Sequence, residues 1–376
     1  MYISDADALA AFCERAGEAR VLGVDTEFLR EKTYYPKLCL IQVGTADEIA
    51  AIDPILIQDL DPLVDLLTDT RITKVFHACG QDLEVIRDAL GCVPAPVFDT
   101  QLAAAFLGFR MQLGYGALVE AYTGVRLPKA ESLTDWSQRP LDREQLVYAE
   151  DDVRYLPGIY ERMMDELIAR DRLSWLTPEM DDLCDPAKYE RNPREAYRHL
   201  KRSGSLTRKQ MAIAREVCAW REQKAAYRDI PRKWVCSDEV LVEICRHTPK
   251  TAERLKRIRG TEQIPARDAE ELVAAIRKGL LCDPDDLPYV ERHARPAAET
   301  ESVVDLMNAM LRLKSEKSGV APQLIATRDE LTHFAVNGGS GRLAKGWRYE
   351  LVGRSLEQLL GGQIGLTVKN GRIEVL

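Results

Sequence analysis

The chain has 376 residues, 45% of them hydrophobic and 30% charged, with a net charge of −8. That balance belongs to a soluble globular protein of two or three domains, and no apolar run approaches the ~20 residues that span a bilayer. Nine cysteines are scattered without a C-x-x-C pair, and the first twenty residues are acidic and broken by charges. A disulfide framework, a cysteine zinc site and a signal peptide are therefore not expected, and a reducing cytoplasm is.

Residues 1–175 alternate strand-like and helical runs. RVLGVDTEF, LCLIQVGT and EIAAIDP follow one another with short turns, which predicts an antiparallel meander. ITKVFHA and PVFDT come after the helical patterns LDPLVDLLTD and GQDLEVIRDALG, which predicts crossovers and parallel pairing. Helices follow at TQLAAAFLGF, YGALVEAYTG and DREQLVYAEDDVRY, the last kinked or ended by Pro157. The first domain is therefore expected to be α/β, a mixed sheet flanked by helices.

Residues 176–204, with Pro178, Pro186 and Pro193, read as a linker. From about residue 205 the strands give way to amphipathic helices, interrupted by a second linker at PDDLP (284–288) and HARPAAET (293–300). KAAYRDIPRKWVCSDEVL (224–241) aligns with KSEKSGVAPQLIATRDEL (314–331) at an offset of 90 residues. Ser237 and Thr327 both stand where a helix needs an N-cap. One helical module present twice is expected, at 205–288 and, more diverged, at 289–376.

The net charge hides a segregation. Residues 1–187 hold 17 Lys and Arg against 34 Asp and Glu, residues 188–278 hold 23 against 13, and residues 279–376 hold 12 against 13. An acidic first half suits cation binding, and a basic block suits a polyanion.

Inside the acidic half, Asp25 and Glu27 interrupt the apolar run VLGVDTEFL. Alternation puts both on one face of a strand. Either that face is solvated, or a hard divalent cation neutralises the pair. In HACGQDLEV, Asp82 falls in the first turn of a helix, where it also complements the helix dipole. In YAEDDVRY, Tyr148 and Asp152 are four apart and share a helix face. Four carboxylates can hold two divalent ions for phosphoryl chemistry, and a tyrosine hydroxyl can orient the attacking water.

The stretches VDTEF, HACGQDLEV, FDTQLAA, LTDWSQRPL and YAEDDVRYL resemble the DEDD family of 3′→5′ exonucleases, in its tyrosine-bearing branch. The duplicated module resembles the HRDC domain. The resemblance covers nearly the whole chain. It implies a ribonuclease-H-like fold followed by two all-α HRDC helical bundles. It also implies that Asp25, Glu27, Asp82 and Asp152 hold two divalent ions, Mg²⁺ or Mn²⁺, and that Tyr148 positions water. The Y-x-x-x-D spacing selects Asp152 over Asp151.

Thr26 and Phe28 flank the acids, facing away from them on a regular strand. The resemblance places them at the terminal nucleotide; Phe28 reads equally as a core residue. His77 is expected to pack or hydrogen-bond near the site without a catalytic role. Arg232 and Lys233 head the nucleic-acid candidates, with Lys201, Arg202, Arg208, Lys209, Arg221 and Lys224. Tyr227 and Trp234 lie among them, Trp234 as a core residue.

The implied activity is removal of 5′-mononucleotides from RNA 3′ ends, typically transfer-RNA precursors with short 3′ tails. A monomer is expected, with no membrane and no obligate protein partner. The same chemistry on DNA and a non-catalytic nucleic-acid scaffold are the rivals. A nucleotide-binding oxidoreductase is excluded by the lack of G-x-G-x-x-G after a strand.

Overall fold

A computed structural model describes residues 1–128, 134–288 and 298–376. Most of the HARPAAET linker lies outside them. The described residues form two compact units, one of 1–28, 38–188 and 295–376 and one of 29–37 and 189–294.

The first unit opens with β1 (Tyr2–Ile3) and α1 (Ala6–Ala16). Then come β2 (Val21–Leu29), β3 (Lys37–Gly44), β4 (Ile49–Ile52), α2 (Asp61–Thr68), β5 (Thr73–Phe76), α3 (Gly80–Leu90), β6 (Val97–Asp99) and α4 (Thr100–Leu107). The helices α5 (Tyr115–Thr123), α6 (Arg143–Arg154), α7 (Leu156–Ala169) and α8 (Leu173–Leu183) complete this stretch. The sheet order is β1-β4-β3-β2-β5-β6. β3 and β4 pair antiparallel, whereas β2–β5 and β5–β6 pair parallel, as the helical crossovers require. All five expected strands are present. β1 went unforeseen because two residues carry no periodicity, and it pairs parallel to β4.

Helix boundaries follow local chemistry. Asp5 caps α1 by accepting from Ala8 N–H at 2.9 Å. Pro157 sits at the start of α7, so the long helical pattern breaks at Tyr155. The stretch read as a linker begins inside a helix, because α8 runs through Pro178 to Leu183. Beyond it, short 3₁₀ turns occupy 186–189, 193–199 and 203–205.

The second unit contains α9 (Arg208–Arg228), α10 (Arg232–Val235), α11 (Asp238–His247), α12 (Ala252–Leu255) and α13 (Ala266–Leu280). Its core joins Met211, Val217, Trp220, Leu241, Ile244, Leu272 and Ile276.

The chain then returns to the first unit with α14 (Ala298–Ser318), α15 (Pro322–Ile325) and α16 (Arg328–Val336). α14 ends 90 residues after α9, α15 repeats the bounds of α10 at the same offset, and α16 starts 90 residues after α11. Ser237 and Thr327 are the N-caps of α11 and α16. After α16 the copies part. Helical turns span 346–360, and a hairpin follows, β7 (Leu366–Lys369) and β8 (Arg372–Val375). Strands therefore do not vanish after residue 205. The turn residues Asn370 and Gly371 have φ of 52° and 75°, the left-handed pair of a type I′ hairpin turn.

This last segment shares a core with the sheet unit. Val304, Met307, Phe334 and Trp347 cluster with Phe106, Val153 and Leu156. Ala321 N–H donates to Ala105 O at 3.1 Å. Arg172 bonds both Phe106 O and Ser318 O. Trp347 stacks on Trp175 with ring centres 5.7 Å apart. Glu179 accepts from Trp347 Nε1 at 3.1 Å and from both terminal nitrogens of Arg348.

Candidate active site

Two glycines bring the key helix down onto the sheet. A Cβ on Gly23 of β2 would lie 2.7 Å from Val153 O, and one on Gly44 of β3 would lie 3.2 Å from Val153 Cγ2. Bare backbone at Gly23 is what lets α6 approach this closely, and Gly44 leaves Val153 its room. Asp25 and Glu27 continue the Gly23 face of β2, so they meet Asp152, the residue of α6 just before Val153. Oxygens of Asp25, Glu27 and Asp152 all lie within 4.8 Å of one another.

α6 is fixed at its start by a reciprocal cap. Asp142 accepts from Gln145 N–H at 2.8 Å, and the Gln145 side chain accepts from Asp142 N–H at 2.9 Å. Tyr148 and Asp152 lie one turn apart on α6, close enough for the phenol to stabilise the Asp152 carboxylate. Asp151 turns away to pair with Arg154 at 2.9 Å. The helix thus separates the adjacent aspartates.

Asp82 comes from a different device. The turn into α3 places Ala78 at φ 63°, a conformation costly for a residue with a Cβ. Gly80 is the first residue of α3. The Asp99 carboxylate holds the turn by accepting from Ala78 N–H at 3.1 Å and Cys79 N–H at 3.0 Å. It also caps α4 through Gln101 and Leu102. Asp82 is buried and accepts from Thr26 Oγ1 at 2.5 Å. It stands outside the trio, yet its charge helps raise Asp25.

The electrostatics follow from crowding carboxylates in a partly buried site. Burial first, then the charges of Asp82, Asp152 and Glu27, push the Asp25 carboxyl well above the usual range. Burial and neighbouring acids raise Glu27 to about 8. Asp152 is raised to about 7, chiefly by burial, and the Tyr148 hydroxyl offsets part of that rise. Asp82 is raised to about 6, again by burial, with Thr26 opposing. Burial and the same acids hold the Tyr148 phenol protonated, far above its ordinary value.

The remaining expected residues fall into place as follows. The Thr26 side chain is 6% exposed and committed to Asp82. Phe28 is half-buried at the end of the acid-bearing strand. His77 bonds Thr100 Oγ1 and Leu113 O, both at 2.9 Å, and burial lowers its pKa. In the second unit, Arg232 and Lys233 are exposed, with Arg232 3.5 Å from Glu222. Arg221 is buried against Asp238, and Lys224 is tied to Asp268 and Glu271, which removes both as free phosphate contacts. Trp234 is 56% exposed, not core, because the short α10 lifts it off α9.

Residue patterns did not reveal the supports of this site. Trp136 is buried with its ring 6.0 Å from that of Tyr148. Arg139 ties down the Trp136 loop through Trp136 O, Cys39 O and Asp53. Tyr115 donates to Asp151 O at 3.0 Å, bracing α6 from the far side. Trp136 and Arg139 both lie in the LTDWSQRPL stretch, the one signal that pointed to them.

Comparison with known proteins agrees with this geometry. Residues 1–168 match the model of a 3′-5′ exonuclease family, and residues 210–276 match that of the HRDC domain. Ribonuclease D of Nitrobacter hamburgensis is 40% identical over 97% of this chain and 96% of its own. Ribonuclease D of Sphingobium indicum is 39% identical over 99% and 97%. The crystal structure of Escherichia coli RNase D, described as an exoribonuclease involved in structured RNA processing, superposes with a TM-score of 0.85. It is 32% identical and covers 96% of this chain and 98% of its own. The chain belongs to the ribonuclease D family of 3′→5′ exoribonucleases.

Proposed function

We propose that the chain trims RNA 3′ ends, chiefly those of transfer-RNA precursors with short single-stranded tails, and releases 5′-mononucleotides. The observation that carries this reading is the convergence of Asp25, Glu27 and Asp152 within 4.8 Å, with Asp82 and Tyr148 beside them. The donor set is all carboxylate, which suits Mg²⁺ or Mn²⁺. Asp25, Glu27, Asp82 and Asp152 would hold two such ions, which when bound neutralise charge on the phosphate and assist water and leaving group.

Tyr148 keeps its proton and directs it toward the Asp152 carboxylate, so the phenol oxygen is left to accept an O–H from the attacking water. That water forms the new P–O bond, the bond to the O3′ of the penultimate nucleotide breaks, and the shortened RNA takes the proton there. Phe28 flanks the last base. Thr26 acts through Asp82, and its backbone is what remains for the nucleotide. Arg232 and Lys233 contact phosphates further along the strand.

The nuclease domain takes residues 1–175, a first HRDC domain 205–288, and a diverged second copy 289–376. The 90-residue offset between the ends of α9 and α14, and between α10 and α15, supports the duplication. A monomer in the cytoplasm is the setting, which nine unpaired cysteines favour. No described helix is long and apolar enough to cross a membrane.

The test is a time course on a 3′-extended transfer-RNA precursor labelled at its 5′ end, with Mg²⁺, Mn²⁺ or EDTA, beside matched single-stranded DNA and an Asp152→Asn control. A metal-dependent ladder shortening from the 3′ end of RNA is expected, absent in the control. Binding without shortening under either metal would overturn the reading, and equal shortening of DNA would move the substrate class.

A further inference from the structure

Gln42 is the one buried polar side chain of β3. Its neighbours Leu38, Cys39, Leu40, Ile41 and Val43 are apolar and buried. Gln42 itself is 0% exposed, and neither Oε1 nor Nε2 has a hydrogen-bond partner. A buried amide left without partners is costly, and a leucine would fill the same place at no such cost. A chain that keeps glutamine here has a use for it.

The sheet geometry says where that use lies. β2 and β3 are neighbours in the sheet, joined by the seven residues 30–36, too few for a parallel crossover, so they run antiparallel. Gly23 on β2 and Gly44 on β3 both lie against Val153 of α6. Stepping two residues from that shared contact, forward on β2 and backward on β3, leads to Asp25 and Gln42. Both keep the face that looks toward α6. The unpaired amide therefore lies beside Asp25, on the sheet side of the acid cluster and closed to solvent. Direct contact with RNA is excluded by that enclosure.

We propose that Gln42 is a positioning residue for Asp25. Its Nε2 donates, directly or through one enclosed water, to the Asp25 carboxylate once the acids gather around divalent cations, and so fixes which oxygen Asp25 turns toward them. A hydrogen-bonded support behind a ligating carboxylate sets its orientation and hence its affinity for the ion. The terminal torsion of glutamine is soft, so the amide can turn to meet that need. This rests on the acid-cluster reading given above.

Gln42→Leu and the more adaptable Gln42→Met separate this role from a merely structural one, because the two roles predict opposite signs. The full-length protein is used, with Asp25→Asn for reference. Melting is followed in EDTA, Mn²⁺ affinity by calorimetry, and the single-turnover rate on the labelled RNA. The expected result is a melting temperature in EDTA equal to or a few degrees above wild type. Mn²⁺ affinity and rate together fall roughly 10- to 100-fold. Unchanged affinity and rate in both variants would overturn the proposal. A lower melting temperature in EDTA for both would also overturn it, since the amide would then serve the fold. Asp25→Asn with undiminished Mn²⁺ affinity and rate would instead sink the acid-cluster reading, and this proposal with it.

Discussion

Tyr148 shows how much a single side chain's state limits its role. Its ring is partly exposed, yet burial of its hydroxyl end and the charges of Asp152, Glu27 and Asp25 keep the phenol protonated. It cannot serve as a base at neutral pH, so orientation of water is what remains. Tyr148→Phe is expected to lower the single-turnover rate on the order of 10²-fold while RNA affinity in Ca²⁺ stays the same. An unaltered rate would show that the hydroxyl has no part in the chemistry. Asp25 and Glu27 were legible through the period of 2 along β2, Tyr148 and Asp152 through that of 3.6 along α6, and Asp82 through its place in the first turn of α3. Asp99 was not legible. Its bonds to Ala78 and Cys79 span about twenty residues of chain and exist only after β5 and β6 pair. Gln42 was quoted within its strand but carried no pattern, since one amide in an apolar run has no period.

At the scale of elements, part of the basic block of the second unit is spent on its own acids. Arg194, Lys278 and Arg215 converge on Glu216, and Arg228 joins Lys224 on Asp268. The exposed Lys250, Arg254, Lys256, Arg257 and Arg259 around α12 have no ion-pair partner among the described residues. His247, Arg254, Arg257 and Arg259 line a groove of about 360 Å³ there. If RNA phosphates meet this unit, these cations are free to release counterions, as are the exposed Lys209 and Lys233. Neutralising Arg254, Arg257 and Arg259 together is expected to flatten the salt dependence of RNA binding by ~2 in log–log slope, at ~0.7 per contact. A slope equal to wild type would clear the α12 segment of phosphate contact. Charge counting found the block but could not find the free part, because pairing is decided by helix packing. The 90-residue echo was legible for a contrasting reason: caps and helix lengths are local, so they survived divergence. The β7–β8 hairpin was missed although Asn370-Gly371 between alternating strands is a strong local turn signal. The helical reading of the preceding segment was carried across it.

At the scale of the molecule, the last helical segment is part of the first unit's core. Glu179 is the polar joint: it accepts from the indole of Trp347 and from the guanidinium of Arg348, itself 5% exposed. Removing one partner of such a pair strands the other, at a cost of ~3 kcal/mol or more. Glu179→Ala is expected to lower the melting temperature by several degrees without changing Mn²⁺ affinity. An unshifted melt would mean that this joint adds nothing to stability.

The acid cluster pulls stability in the other direction. Glu27 titrates at about 8 in the folded chain, well above the ordinary glutamate value of 4.5, because it is buried among acids. A carboxyl raised on folding gives its full stability below its unfolded pKa and loses it as pH climbs through the folded one. In EDTA the wild type is therefore expected to lose stability between pH 5 and pH 8, at ~1.4 kcal/mol per unit of raised pKa. Glu27→Gln carries no charge to bury. It should melt with wild type at pH 5 and several degrees above it at pH 8. Mn²⁺ should close that gap by stabilising only the wild type, and more strongly at the higher pH, since ligands must be deprotonated to bind. Parallel melting curves across that range, with and without Mn²⁺, would mean that the acids are not held in one crowded cluster, and the case for a shared cation site would fall with them.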